Sequence, residues 1–120
     1  MSTIVISNIK ATGETASRAV SGVAAAWVNF DGTGTIAVRD SQGVSGLVDD
    51  GAGNYRVNLT NAMGNANYSA VANTGSNDVF GSIIGGSQAT TLLRVASHYY
   101  GSSANLDRDH VYAMAAGDLA

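Results

Sequence analysis

His98 and His110 flank Asp107 and Asp109, and these four side chains are the strongest candidates for chemistry in the chain. Imidazoles and carboxylates bind metals and move protons, but a metal centre needs three or four converging ligands with supporting outer-shell bonds. The spacing of these four matches no metal motif. Only a hairpin from a strand over 92–100 into one over 111–116 would draw them together. The plainer reading is a polar loop in which Asp residues make turns.

Other chemistries fare no better. Ser82 and Ser87 lack the Gly-x-Ser-x-Gly elbow set between a strand and a helix. Glycoside cleavage calls for two carboxylates a fixed distance apart, yet Glu14 is the only Glu and lies in a polar N-terminal stretch. The Gly-rich turns fit neither the phosphate loop nor the dinucleotide fingerprint. The sequence therefore predicts no catalytic residue, no metal, no cofactor and no enzyme activity.

Recognition has better candidates. The segment from His98, Tyr99 and Tyr100 through Gly101-Ser102-Ser103-Ala104 to Asn105 joins aromatic rings to Ser, Gly and Asn. Tyr offers rigid amphipathic area and the small polar residues offer adaptable hydrogen bonds, a mixture used at binding loops. His98, Tyr99, Tyr100 and Asn105 are thus the candidate receptor-facing residues. The alternative is that the two tyrosines only end a strand, one inward and one outward.

Composition limits the partners. Charged residues are 12% of 120, about half the usual share. Few long solvated side chains remain to cover the exterior, which favours burial of surface in an assembly. The formal net charge is −3, and the six basic residues are scattered, so no cluster would neutralise a run of phosphates. No nucleic-acid partner is expected. The longest mostly apolar run, residues 20–28, falls short of a membrane span, and the first twenty residues show no signal-peptide pattern. There is no cysteine, hence no disulfide framework and no thiolate site.

Fifteen Gly and no Pro leave turns to Gly, Asn, Asp and Ser. Turn signals recur every 8–12 residues or so, the rhythm of an all-β sandwich or barrel. Strands are expected over 4–6, 22–30, 35–40, 44–49, 55–60, 69–72, 79–84, 92–100 and 111–116, with a polar linker at 11–17. Ala24-Ala25-Ala26 favours helix, but Trp27-Val28-Asn29-Phe30 has β character. Tyr55, Val57 and Leu59 alternate with Arg56, Asn58 and Thr60, the pattern of a half-buried antiparallel strand. The runs at 69–72, 79–84, 92–100 and 111–116 carry apolar residues on both faces, so each is central or lies at a subunit interface. If Val28 and Phe30 enter the core, Trp27 points the opposite way and needs cover. Aromatic anchors of that sort are enriched at interfaces. A subunit or arm contact, an intrachain core and ligand stacking all remain open for it.

Three blocks carry a resemblance. They are Ala24-Ala25-Ala26-Trp27-Val28-Asn29-Phe30-Asp31-Gly32-Thr33-Gly34-Thr35-Ile36-Ala37-Val38-Arg39-Asp40-Ser41, then Val44-Ser45-Gly46-Leu47-Val48-Asp49-Asp50-Gly51-Ala52-Gly53-Asn54-Tyr55-Arg56-Val57-Asn58-Leu59-Thr60, then Met63-Gly64-Asn65-Ala66-Asn67-Tyr68-Ser69-Ala70-Val71. In order and spacing they resemble the C-terminal domain common in phage and prophage tail-fibre proteins, over residues 17–117. Gly64 stands where such proteins often have Pro, and residues 112–118 are less apolar than the usual closing strand.

The resemblance implies a small antiparallel β-sandwich, assembled as a homotrimer, in a virion structural protein made in the host cytoplasm. It implies a tail-fibre or tail-tip subunit contributing to host attachment through a surface glycan or receptor. A capsid decoration or head-fibre subunit is the alternative, and an off-virion lectin-like module a third. Residues 1–17 read either as a frayed terminus or as an arm docking on a neighbouring virion protein, ahead of a sandwich domain at 18–120.

Overall fold

The computed structural model describes residues 2–10, 12–16, 18–19, 23–75, 79–84, 88–99, 101–102 and 104–120. These hold ten strands and no helix: β1 (Asn8–Ile9), β2 (Arg18–Ala19), β3 (Ala24–Asp31), β4 (Ala37–Gln42), β5 (Val44–Gly51), β6 (Asn54–Leu59), β7 (Ser69–Thr74), β8 (Val79–Ile83), β9 (Leu92–Tyr99) and β10 (Val111–Ala116). Eight of them form two antiparallel four-stranded sheets, ordered β4-β3-β10-β7 and β5-β6-β9-β8, and β1 pairs with β2 alone. The chain is an all-β sandwich.

Alternation decides which face each strand buries. On β3, Ala26, Val28 and Phe30 are buried, and this period of two overrides the helical tendency of the three alanines. On β6, Tyr55, Val57 and Leu59 are buried as their spacing predicts. Leu93 and Val95 on β9 and Val111, Ala113 and Ala115 on β10 complete the core. Phe30 of one sheet meets Tyr55 of the other edge-to-face, with ring centroids 5.1 Å apart. That geometry is preferred by aromatic quadrupoles and adds to the area each ring buries. Met63 and Tyr68, on the crossover from β6 to β7, join the same core.

Among the described residues, two glycines combine a left-handed backbone with a close approach. Gly43 (φ 69°) turns the chain from β4 in one sheet into β5 in the other, and a Cβ there would lie 2.6 Å from the Ala25 carbonyl oxygen. Gly53 (φ 63°) ends the β5–β6 turn, where a Cβ would lie 2.6 Å from the Leu106 amide and 2.8 Å from the Ser97 carbonyl oxygen. Left-handed backbone and lack of room both require Gly at these positions.

One expectation is corrected and one open possibility is closed. Residues 4–6 are not a strand; the N-terminal strand is Asn8–Ile9, because only there does the chain find a ladder partner, in Arg18–Ala19. Ile4 and Val5 are 83% and 93% exposed. Nor do β9 and β10 form a hairpin. β9 lies between β6 and β8, while β10 crosses to the other sheet and pairs with β3 and β7. Among the described residues, no helix is long and apolar enough to cross a membrane.

Candidate functional site

The loop expected to face a receptor is folded back on its own strand. His98 and Asn105 sit opposite each other in an isolated bridge, and the Tyr99 amide donates to the Ala104 carbonyl at 3.0 Å. The half-buried His98 places Nε2 2.9 Å from Ser82 Oγ. Asn105 donates from Nδ2 to Asn54 Oδ1 at 3.1 Å, so its amide is engaged with the β5–β6 turn. Tyr99 is 41% exposed. Tyr100 lies outside the described residues.

Below this loop lies a polar joint. The Gly53 amide donates to Asp107 Oδ1 at 2.7 Å, and the Tyr55 hydroxyl donates to the same oxygen at 3.0 Å. The Gly32 carbonyl is 3.3 Å from that hydroxyl, and the Gly32 amide donates to the Arg108 carbonyl at 2.8 Å. Burial, reinforced by the Asp107 carboxylate, pushes the Tyr55 hydroxyl well above the usual phenol range. Asp107 therefore fastens the segment after β9 to the β5–β6 turn and β6, while Gly32 ties the same segment to the end of β3 through Arg108.

His110 and Asp109 have a separate setting. His110 Nδ1 lies 3.2 Å from Asp109 Oδ2. The hydrogen bond from His110 holds the Asp109 carboxyl below its ordinary value. Arg39 donates to the Asp109 carbonyl and lies 3.6 Å from Asp31. Thr33 hydrogen bonds, first from its hydroxyl and then from its amide, lower the Asp31 pKa. The structure thus sends His98 towards Ser82 and His110 towards Asp109. Among the described residues no group of three or more His, Cys, Asp or Glu side chains converges to hold a metal ion.

The surface that stands out is the outer face of the β4-β3-β10-β7 sheet. Register aligns two transverse rows there. Met114 lies opposite Trp27 on β3 and Val71 on β7, and Trp27 lies opposite Gln42 on β4. Two residues along, Tyr112 lies between Asn29 and Asn73. Directly opposite and adjacent residues on one face of a sheet are in contact range, so the rows fuse into one patch. It forms an open groove of about 590 Å³, lined by no charged side chain. Val71 is 61% exposed, Met114 45% and Tyr112 38%.

Trp27 does point away from the core. Its Nε1 donates to Gln42 Oε1 at 3.1 Å, which keeps the indole N–H satisfied on the outer face. Asn29 Oδ1 is buried in the groove with no hydrogen-bond partner. A buried acceptor left unmade costs about 1–3 kcal/mol. Sequence reasoning singled out Trp27 but not Val71, Tyr112 or Met114. The two-faced apolar pattern of the run at 111–116 was the available signal; the strand pairing that turns it into a patch is non-local.

No family model, curated protein or solved structure matches the chain.

Proposed function

We propose that this chain is a non-enzymatic virion subunit of a bacteriophage, sited on a tail fibre or tail tip and self-associating as a trimer that contributes to host attachment. The observation that carries the reading is the uncharged outer groove around Trp27, Val71, Tyr112 and Met114. Contiguous exposed apolar surface rimmed by polar residues marks interaction sites, and aromatic and Met side chains are enriched at interface cores. The resemblance of the three sequence blocks to tail-fibre domains supplies the setting. Three linked copies would present three copies of the loop around Tyr99. Weak contacts to a repeated surface glycan then combine through high effective concentration.

Immunogold labelling of intact particles in the electron microscope tests this reading. Label at the tail supports it. Label at the capsid overturns the tail assignment in favour of a head-fibre or decoration subunit. Particles without label, together with specific glycan binding by the free protein, would replace it with a lectin-like module acting off the virion.

A further inference from the structure

Two apolar features of this chain are each left uncovered in a single copy, and they match. One is the outer groove. The other is the segment at residues 2–7, in which Ile4 and Val5 are 83% and 93% exposed and Ile6 is 49% exposed. Exposed apolar residues scattered singly need no explanation, but three in a row on one segment do.

We infer that the groove receives the 2–7 segment of a second copy. The inference deepens the proposed self-association, on which it rests, by naming the contact that carries it. Charge is the first argument: residues 2–9 contain no Asp, Glu, His, Lys or Arg, and neither does the groove lining. Neither surface pays to desolvate a charge when they meet. The second argument is period. In extended chain, Ile4 and Ile6 project from the same side about 7 Å apart, twice the rise of a strand residue. The Trp27–Met114–Val71 row and the Asn29–Tyr112–Asn73 row are likewise two residues apart along their strands. A segment laid along the strands therefore sets one Ile over each row.

Each copy both gives a segment and takes one; where the exchange runs head-to-tail, such contacts close into rings when the rotation permits, in keeping with a trimer.

The test uses four chains and one peptide. Sedimentation velocity gives the mass of the intact chain, of a chain lacking residues 2–7, and of Met114→Glu, with Val71→Glu as a second groove variant. A peptide of residues 2–10, kept soluble by Lys10, is titrated into the shortened chain while the emission of the single tryptophan, Trp27, is followed. The expected result is an oligomer for the intact chain, monomers for the shortened and groove variants, and a saturable blue shift of Trp27 that Met114→Glu abolishes. Unchanged urea midpoints show that the variants fold. An oligomer that survives loss of residues 2–7, with no Trp27 response to the peptide, overturns the inference and leaves self-association standing. A monomeric intact chain at micromolar concentration overturns both.

Discussion

The Tyr55 hydroxyl and the Asp107 carboxylate are 52 residues apart in sequence and 3.0 Å apart in space. This bond joins β6 to the segment that leads out of β9 towards the other sheet. Asp107 also accepts from the Gly53 amide, so one carboxylate ties a turn, a core aromatic and a crossover together.

Tyr55→Phe keeps the ring against Phe30 and removes only the hydroxyl. Hydrogen bonds to charged groups contribute about 1.5–3 kcal/mol, and a loss of that size is expected in urea unfolding at neutral pH. The alkaline limb supplies a second readout. The folded-state pKa of Tyr55 is raised above 10.0, so the folded protein retains a proton that the unfolded chain gives up. That contribution is fully present below about pH 10 and is lost as pH rises further. The wild-type urea midpoint should fall above pH 10 more steeply than that of Tyr55→Phe. Tyr68, also raised by burial, contributes equally to both proteins.

Gly53→Ala tests the close approach beneath the same joint. The substitution forces a φ of 63° on an L-residue and places Cβ 2.6 Å from the Leu106 amide. Strain in such a backbone region costs of order 1–3 kcal/mol, and the clash adds to it. The Leu106 amide, which donates to the Ser97 carbonyl at 3.0 Å, should lose hydrogen-exchange protection before the amides at the centre of β6 do.

Phe30→Ala probes the contact between the sheets. Phe30 is wholly buried, and truncating a core aromatic costs about 3–5 kcal/mol. Calorimetry should show a large fall in Tm. Tyr99→Ala, at the exposed end of β9, should leave Tm almost unchanged; a glycan-binding or adsorption assay then reads the loop separately from the fold.

Asp31 offers a titration free of any stability argument. The Thr33 hydroxyl and amide hold its pKa below 3.8, so its carboxyl carbon should titrate below that value by NMR. Thr33→Val removes the hydroxyl and should move the midpoint up. The depressed value means that the charged form is favoured in the folded state. Any associated stability is present above pH 4 or so and lost as pH falls.

The sheet class and the buried face of β6 were legible in the sequence because alternation is a local signal. Tyr55, Val57 and Leu59 needed no partner to be recognised. Trp27 was legible as pointing away from Val28 and Phe30 for the same reason. What alternation cannot convey is which strands pair. Nothing local in residues 92–116 distinguishes a hairpin from a crossing between sheets, so the meeting of His98 with His110 was open until the topology separated them. The groove was hidden for the same cause. Val71, Trp27 and Met114 come from three distant stretches, and only the ladder register puts them side by side. Residues 4–6 look like a strand by composition, yet a strand is defined by its ladder partner.

The position of β10 governs when this protein becomes whole. β10 is the last strand in chain order and sits in the interior of its sheet, between β3 and β7. Until residues 111–116 leave the ribosome, those two neighbours face an empty slot. Each then presents a row of unpaired amides and carbonyls, a template for foreign strands. Closure of this sheet therefore depends on pairing between β10 and the distant β3, a non-local topology that folds slowly. Aggregation during refolding should track how fast β10 enters its slot.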